Sequence, residues 1–591
     1  MTLSPKRLLS FLTDWPFPHR IRAFVRARAI GLVGVALVVG ALSALLVAGL
    51  NASSQLAHEL LFGLERGARL SSSEGIPPLR LAAVLVGGGL CLGVLAFWAS
   101  KQFSGRMADA IEANALHGGR LSVLGSLYIV LQTLISNACG AAVGLEAAYT
   151  QICAAFASNF GKRLAARRSD MRLLVACGAA GAISAAFGAP LAGSFYAFEV
   201  ILGAYSVGSL VPVVASAIVA NLISNSLHSH ALLDINIQPS SQIAETLAHV
   251  LVLAGACAAL GIVVMKLVAA VEAGLTRIEC PALLRPVVGG ACVAALAIIT
   301  PSVMGSGHGA LHDVLFDSVS LKGLALVVAL KSVASALSLG AGFRGGLFFA
   351  SLLIGSAAGR FYAEALPLLT SLHIDSGVAA VAGLAAFGAC VLGAPMTMTV
   401  LALEMTGDFY VTIAALVAAA VATLINRETF GYSFATWRFH LRGETIRGPA
   451  DVGRIRELTV GSLMRTNANI APASLSVKDA RAMFPFGAEK QFFLADEHGR
   501  VQAMMLTGQL YAPELKPDDP VLPLAQACKV LLTPSLGVRE ALDAFDANEA
   551  DVLPVVNSQT DGRIIGQLSE AHALRRYGEE LERSHRAILE R

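Results

Sequence analysis

The sequence predicts an all-α polytopic membrane protein built as an internal repeat of broken helices, followed by a smaller soluble α/β domain. Three observations lead to this fold class. The chain is strongly apolar over most of its length, one set of motifs occurs twice in the same order, and the composition changes near residue 440. Together they predict two domains of different character, one in the bilayer and one in water.

The composition is that of a membrane protein. Of the 591 residues, 55% are hydrophobic and only 14% are charged, whereas soluble proteins carry about 25% charged residues. The mean hydropathy is +0.66. The uncharged run 30–50 exceeds the roughly 20 residues that a helix needs to cross a bilayer, and similar runs recur up to about residue 426. Several spans are therefore expected rather than a single anchor.

The charges indicate orientation and exclude one class of partner. A net charge of +3 is too small to indicate nucleic-acid binding. By the positive-inside rule, basic residues at both ends of the apolar region predict a cell-membrane protein with both termini cytoplasmic. They are Lys6, Arg7, Arg20, Arg22, Arg26, Arg28, Arg438, Arg442, Arg447, Arg454 and Arg456. Residues 1–28 are interpreted as a cytoplasmic arm, because the first apolar run is a full span and no cleavage pattern follows the charges.

The nine cysteines show no Cys-x-x-Cys spacing, and most lie in apolar segments. We interpret them as small apolar packing residues rather than as a disulfide framework or a metal site.

The first half of the apolar region contains long and short segments. Runs near 29–62 and 79–99 predict two long helices, and 103–114 predicts a short helix with Ser104 as its N-cap. Shorter apolar stretches follow at 121–140, 146–163, 172–187 and 190–204. Broken helices are tolerated at membrane depth where they line a cavity, so these segments predict an internal pathway.

The membrane region is predicted to be a duplication, with repeats over about 29–225 and 242–426. Gly-Ala-Pro occurs at 188–190 and, 205 residues later, at 393–395, and in each copy a glutamate (Glu199 or Glu404) stands nine residues after the proline. Two further pairs lie 202 residues apart: Ser104-Gly105 with Ser306-Gly307, and Gly144-Leu145 with Gly346-Leu347.

Repeats with interrupted helices indicate a transporter-type fold, whose binding site lies where half-helix N-termini converge. The expected N-termini lie at Ser104, 144–146 and 346–348. Helix N-termini attract negative charge, so the expected permeant species is an anion. Glu146 is a single carboxylate in an otherwise uncharged stretch, and an intramembrane carboxylate is a functional hypothesis in its own right.

Residues 441–458 are interpreted as a linker, and 459–591 as a soluble domain made of two copies, about 459–515 and 525–580. Ser-Leu-x-Val-x-x-Ala at 474–480 recurs 61 residues later at 535–541, and each copy leads to a strand pattern and a Gly-Arg turn. Two αβ units of similar size are expected.

At these residues the chain resembles the CLC chloride channel and chloride/proton antiporter family with a C-terminal pair of CBS domains. The stretch 185–193 reads Ala-Ala-Phe-Gly-Ala-Pro-Leu-Ala-Gly, close to the family's Ala-Ala-Phe-Asn-Ala-Pro-Leu-Ala-Gly, and 393–406 is a second specific match. The resemblance implies inverted repeats, a homodimer in the lipid bilayer, and one pathway for chloride or another small anion in each subunit.

The resemblance also assigns site residues. The family's Gly-Ser-Gly-Ile-Pro is matched at 103–107, Gly-Arg-Glu-Gly-Pro at 144–148 and Gly-x-Phe-x-Pro at 346–350, and all three motif prolines are absent. Glu146 is the implied gate. The implied anion-binding residues are Ser104, Gly144, Leu347, Phe348 and Tyr432. Arg106, Arg344 and Lys331 are charges that would draw anions into the pathway or, for the arginines, reach the surface.

One departure from the family bears on mechanism. In the antiporters a proton-carrying glutamate directly follows the position of Glu199, and here that position is Val200. Loss of this group favours passive conduction through a gated channel. Chloride/proton exchange is the alternative function. A more distant alternative is an anion sensor that signals through the CBS pair. Because Glu199 and Glu404 are equivalent, we expect them to share a structural role.

No phosphate-binding loop, metal-ligand cluster or nucleophile-base spacing stands out, so an enzyme is not expected. No cofactor is expected either. At the second CBS copy His572 replaces the aspartate of the usual nucleotide-binding pattern, so a structural module without nucleotide is favoured over a nucleotide-binding one.

Overall fold

The computed structural model describes residues 22, 25, 29–102, 108–227, 243–441, 458–487, 491–548, 550–577 and 579. The chain forms two compact units, Met1–Asp451 and Val452–Arg591. The division falls inside the segment 441–458 that the sequence suggests as a linker.

The first unit is helical. Its helices are α1 Ala29–Phe62, α2 Pro78–Gln102, α3 Ala110–Leu116, α4 Val123–Ala138, α5 Glu146–Arg163, α6 Arg168–Phe187, α7 Pro190–Tyr196, α8 Val207–Leu227, α9 Ile243–Arg277, α10 Arg285–Ile299, α11 His308–Phe316, α12 Leu321–Gly340, α13 Phe348–Leu369, α14 Ser376–Leu392, α15 Pro395–Thr406, α16 Phe409–Thr429 and α17 Phe434–Leu441. In the part of the chain that the structure describes, seven helices are long and apolar enough to cross a membrane. The predicted multi-pass architecture is confirmed.

The broken helices end and restart at equivalent places in the two repeats. Gly188 follows the last residue of α6 and Gly393 the last residue of α14, both in the left-handed region with φ of 65° and 72°. Glycine has no Cβ to clash in this conformation. Helices α7 and α15 then begin at the prolines of the repeated Gly-Ala-Pro motif, where a missing N–H costs nothing. The same local sequence therefore produces the same break twice.

The prediction that Ser104 caps the short helix over 103–114 is wrong. Helix α3 begins at Ala110, and the Asp109 side chain accepts a hydrogen bond from the Glu112 N–H at 2.7 Å. Aspartate is as good an N-cap as serine, and it lies at the start of the apolar run 110–116. Ser104 itself lies outside the described residues.

The second unit consists of two αβ halves. A short helix, α18 Val460–Leu463, precedes both halves. The first half contains β1 Ile470–Pro472, α19 Val477–Met483, β2 Gln491–Ala495 and β3 Val501–Leu506. The second half contains α20 Val538–Asn548, β4 Val552–Val556 and β5 Ile564–Ser569. Strand β2 pairs parallel with β1 and antiparallel with β3, and β4 pairs antiparallel with β5. Helices α19 and α20 start 61 residues apart, as do β2 and β4, which is the offset of the sequence repeat.

Candidate functional site: an intramembrane carboxylate between two repeats

The two repeats meet at the motifs that the sequence paired. The Gly144 N–H donates to the Gly346 carbonyl at 2.9 Å, and the Gly346 N–H donates to the Gly144 carbonyl at 3.1 Å. Helix α5 begins two residues after Gly144, and α13 begins two residues after Gly346. This two-bond antiparallel bridge therefore brings the N-termini of two helices, one from each repeat, to the same place.

The Glu146 carboxylate lies at this junction and is 5% exposed as a residue. Its Oε1 accepts a hydrogen bond from the Phe349 N–H, in the first turn of α13, at 3.1 Å. Its Oε2 is buried and has no hydrogen-bond partner among the described residues. A Cβ built on Gly144 would lie 1.9 Å from Oε2, and one on Gly346 would lie 3.0 Å from it. A side chain at Gly144 would therefore displace the carboxylate, and one at Gly346 would crowd it.

The negative charge of the Glu146 carboxylate suits this position. Exposed N–H groups and the positive ends of two helix dipoles stabilise a negative group at their N-termini. Here the negative group is a side chain of the protein itself, held by one hydrogen bond and with one oxygen left unpaired. A mobile anion would find the same donors at this position. The donors that hold Glu146 are thus of the kind that a mobile anion could also use.

Lys331 is a buried amine that interacts with Glu146. Its side chain on α12 is fully buried, and Nζ donates to the carbonyls of Val303, Met304 and Gly305 at 3.0, 3.4 and 2.8 Å. It also attracts Glu146 electrostatically. Three carbonyl acceptors allow the ammonium to remain in the interior, where an isolated charge would be costly. Lys331 therefore fixes the loop that leads into Ser306 and interacts electrostatically with Glu146.

Asn137 joins the repeats and was missed by the sequence reasoning. Its Nδ2 donates to the Val143 carbonyl at 2.9 Å and to the Ser306 hydroxyl at 3.0 Å, while its Oδ1 accepts from Ser54 at 2.6 Å. The His58 ring nitrogen Nε2 lies 2.8 Å from the Asn137 carbonyl. The available signal was an amide residue in the apolar run 121–140, shortly before the Glu146 motif.

A polar cavity of about 500 Å³ lies beside this network. It is lined at one end by Leu145 and Phe349, the neighbours of the carboxylate site, and elsewhere by the far half of α1 and by the loop 304–308. Its polar lining residues are Asn51, Ser54, Gln55, His58, Arg69, Ser71, Asn137, Ser224, Asn225, Ser306 and His308. We call this space the polar cavity. The cavity thus reaches Leu145, which precedes Glu146, and Phe349, whose N–H holds the Glu146 carboxylate.

Glu199 and Glu404 have reciprocal structural roles, as expected. Glu404 accepts hydrogen bonds from the N–H groups of Leu191 and Ala192 at 2.7 and 2.8 Å. Glu199, in a π-helical turn Ala197–Leu202, accepts from those of Met396 and Thr397 at 2.9 and 2.8 Å. Each glutamate thus caps the helix that follows Gly-Ala-Pro in the other repeat.

The remaining predicted site residues are not all brought together. Leu347 is buried and directly precedes α13, and Phe348 opens that helix in the same core. Tyr432 is half-buried, with its hydroxyl 3.1 Å from His440 Nδ1 and its ring stacked on the His440 ring at 4.5 Å. Arg344 is exposed, and its N–H donates to the Ser136 hydroxyl at 3.0 Å. Ser104 and Arg106 lie outside the described residues.

The second unit contains a smaller cavity of about 160 Å³ between its two halves, lined among others by Arg465, Gln491, Gln567 and His572. Burial, together with the positive charge of Arg575, lowers the pKa of His572. A neutral imidazole occupies the place where the nucleotide-binding pattern has a carboxylate.

Comparison with known proteins decides the family. The family model described as "Voltage gated chloride channel" matches residues 88–427. The chain belongs to the voltage-gated chloride channel (CLC) family. It is 32% identical over 406 residues to the "Voltage-gated ClC-type chloride channel ClcB" of Escherichia coli O9:H4 (strain HS), an alignment covering 66% of this chain and 95% of that protein. The same-named protein of Escherichia coli O81 (strain ED1a) is 31% identical over 401 residues, with the same shares covered.

Solved structures share the CLC fold at lower identity. A slow cyanobacterial Cl-/H+ antiporter has a TM-score of 0.61 and 21% identity, covering 70% of this chain and 97% of that chain. A eukaryotic CLC transporter has a TM-score of 0.59 and 18% identity, covering 92% of this chain and 97% of that chain. The second match reaches beyond the first unit, since residues 1–451 are less than 92% of the sequence. This CLC protein is therefore a multi-pass member of an anion-transport family of channels and transporters rather than enzymes.

Proposed function

We propose that this CLC protein is a chloride-conducting channel in which Glu146 is the gate and anions move passively down their electrochemical gradient. The observation that carries the proposal is the position of the Glu146 carboxylate. It lies at the junction of two helix N-termini, accepts the Phe349 N–H at 3.1 Å and leaves Oε2 unpaired among the described residues. A chloride ion arriving from the polar cavity would compete for these donors.

Gating follows from this competition. While the carboxylate is charged and in place, it satisfies the positive end of α13 and blocks the path. Protonation removes its negative charge and thereby its advantage over a chloride ion, so the side chain moves out and anions pass. Acid on the cavity side should therefore increase conduction. The same displacement is expected when the chloride concentration is raised.

Passive conduction is favoured over chloride/proton exchange by the residue after Glu199. Val200 is 8% exposed and offers no ionisable group at the position where antiporters of the family carry a glutamate. Glu199 itself is held by two backbone N–H groups and by the Thr397 hydroxyl at 2.6 Å. A carboxylate fixed in this way serves as a helix cap. The ClcB relatives are also described as chloride channels.

The direct test compares the wild-type protein with Glu146→Gln in chloride-loaded vesicles. Glutamine has nearly the same shape but cannot carry a negative charge. We expect chloride efflux from the wild-type protein that rises as the external pH falls, and efflux from the variant that does not depend on pH. Fully intact acid gating in Glu146→Gln would remove the assignment. Absence of chloride efflux from purified wild-type protein would instead favour an anion sensor.

The assembly and orientation belong to the same proposal. We infer a homodimer in the cell membrane with a separate pathway in each subunit and both termini in the cytoplasm. The second unit then lies in the cytoplasm as a CBS pair. Its small cavity and the neutral His572 favour a structural or gating role without a bound nucleotide. Crosslinking in membranes and nucleotide titration of the purified protein test these two points.

A further inference from the structure

A group of basic residues surrounds the loop between α3 and α4. The Lys162 Nζ, near the end of α5, donates a hydrogen bond to the Leu121 carbonyl in this loop. A Cβ built on Gly118 would lie 2.7 Å from Arg168 Nε, so the Arg168 side chain, at the start of α6, packs directly on the loop backbone. Arg120 belongs to the loop itself and is exposed. We call Arg120, Lys162 and Arg168 the basic patch.

Further charges of the same sign flank the basic patch. Arg172 lies one turn further along α6, and its Nε is buried with no hydrogen-bond partner among the described residues. The same is true of the Nε of Arg163, the last residue of α5. The acidic residues of α3 and α6 are Glu112 and Asp170, each 4% exposed. Positive charge is in excess even when both acids are counted, because six basic residues outnumber them: Arg120, Lys162, Arg163, Arg167, Arg168 and Arg172.

The backbone beneath the basic patch is held in place. The Ser158 hydroxyl on α5 accepts a hydrogen bond from the Leu121 N–H at 2.9 Å and donates to the Gly119 carbonyl at 2.7 Å. The turn from α5 to α6 is equally tight, since Ala165 adopts a left-handed conformation with φ of 49°. A site whose backbone is already ordered loses less conformational entropy when it binds a ligand.

The length of α5 places the basic patch at the edge of the bilayer. Binding sites of transporters built from repeats lie near the bilayer midplane, and α5 begins at the carboxylate site. Its 18 residues, at about 1.5 Å each, span about 27 Å. This exceeds the roughly 15 Å from the midplane to the end of the hydrocarbon core. The end of α5 therefore reaches the headgroup layer of one leaflet.

An exposed apolar face leads from the basic patch into the bilayer. Helix α4 begins two residues after Leu121, and Leu124, Leu127 and Leu131 are 42%, 43% and 45% exposed. Spacings of three and four residues place these leucines on one face of the helix, over a length of about 10 Å. A molecule with a negative head and an apolar tail would match both the patch and this face.

We propose that the basic patch is a binding site for the phosphate headgroup of an anionic phospholipid, whose acyl chain lies along the leucine face of α4. Arginine suits this ligand because its planar guanidinium can donate two parallel hydrogen bonds to phosphate oxygens. Basic side chains at a membrane surface also attract anionic lipids electrostatically. The proposal does not depend on gating by Glu146, since it concerns the opposite end of α5.

The test is lipid binding to the purified full-length protein in an uncharged detergent, with bound lipid counted by native mass spectrometry. We expect the wild-type protein to retain phosphatidylglycerol in preference to phosphatidylcholine. The double variant Arg120→Gln, Arg168→Gln should bind phosphatidylglycerol about thirtyfold more weakly, because two cations are lost. The matched control Arg66→Gln, Lys322→Gln removes the same charge at exposed positions outside the patch and should bind as the wild-type protein does.

Three results would overturn the proposal. The first is equal retention of the two lipids by the wild-type protein, and the second is an equal loss of phosphatidylglycerol binding in the patch variant and the control. The third is displacement of the lipid by equimolar glycerol 3-phosphate, which would identify a site for soluble phosphate esters. If the double variant unfolds, Arg120→Gln alone should weaken phosphatidylglycerol binding about fivefold, and an unchanged affinity would also refute the site. Loss of chloride efflux or of its acid dependence would bear on the proposed function and not on this site.

Discussion

The reciprocal caps formed by Glu199 and Glu404 allow a structural glutamate to be distinguished from a proton-carrying one. Glu404→Ala removes two charge-assisted hydrogen bonds, from the N–H groups of Leu191 and Ala192 at 2.7 and 2.8 Å. Glu404→Gln keeps one acceptor oxygen but loses the negative charge at the helix N-terminus. Neither substitution touches the Glu146 site. Their effects should therefore be on stability first.

The magnitude follows from the contacts. A hydrogen bond to a charged group contributes about 1.5–3 kcal/mol, and a negative charge at a helix N-terminus adds about 0.3–1 kcal/mol. Part of this site is open at the surface, since Leu191 is 43% exposed, so the full sum is not expected. We expect Glu404→Ala to lower the free energy of unfolding by about 2–4 kcal/mol and Glu404→Gln by about 1–2 kcal/mol. Glu199→Ala should cost more, because the Thr397 hydroxyl bond at 2.6 Å is lost as well.

The assay is unfolding of the purified protein in mixed micelles, followed by tryptophan fluorescence, with chloride efflux measured on the same preparations. The two glutamates cap packed helices reciprocally, so the costs of the two alanine variants should not simply add, and a double-mutant cycle measures their coupling. The reasoning is refuted if Glu199→Gln or Glu404→Gln leaves stability unchanged but alters the dependence of transport on proton gradients. That outcome would identify a proton site instead of a cap.

Three further predictions follow from single contacts. Gly144→Ala places a methyl group 1.9 Å from Glu146 Oε2, so the flexible carboxylate should be displaced and chloride efflux at neutral pH should rise towards that of Glu146→Gln. Gly34→Ala, which has open space around its Cβ, is the control. Wild-type efflux in Gly144→Ala would contradict the site geometry. Lys331→Met leaves the carbonyls of Val303, Met304 and Gly305 without their donor, at a cost of about 1–3 kcal/mol for each unsatisfied group. It should lower both the free energy of unfolding and the chloride flux, whereas Lys322→Met, at an exposed position, should change neither. Equal behaviour of the two variants would argue against a buried role for Lys331. In the second unit, the N–H of Arg500, with that of His498, lowers the pKa of Asp496 below its ordinary value of 3.8. The stabilisation of this turn by Asp496 is therefore present above pH 3.8 and is lost as the pH falls through the lowered pKa. Wild-type protein and Asp496→Ala should differ in amide hydrogen exchange at residues 496–500 at neutral pH but not in strong acid, and a difference that persists in strong acid would refute the assignment.

The sequence was informative wherever local chemistry determines the structure. Gly-Ala-Pro at 188–190 and 393–395 requires a helix end, a left-handed residue and a helix start, and both copies have all three. The pairing of Gly144 with Gly346 was visible as a fixed offset, because each repeat contributes the same segment to the interface. The isolated carboxylate of Glu146 stood out because charge is rare in an apolar stretch.

Contacts between distant segments were not visible in the sequence. The cap on α3 went to Asp109 because the helix starts later than the hydropathy pattern indicates. Asn137 carries no motif, and its importance comes from Ser54, Val143 and Ser306 converging on it in space. Such roles depend on tertiary position and not on residue type.

The most direct test of passive, Glu146-gated conduction is the reversal potential of the reconstituted protein, measured under a fixed chloride gradient while the proton gradient is varied. A channel lacking an ionisable group at Val200 should show a reversal potential set by chloride alone, identical at every proton gradient, even as acid changes the size of the current through Glu146. A reversal potential that moves systematically with the proton gradient would contradict the account and identify coupled chloride/proton exchange.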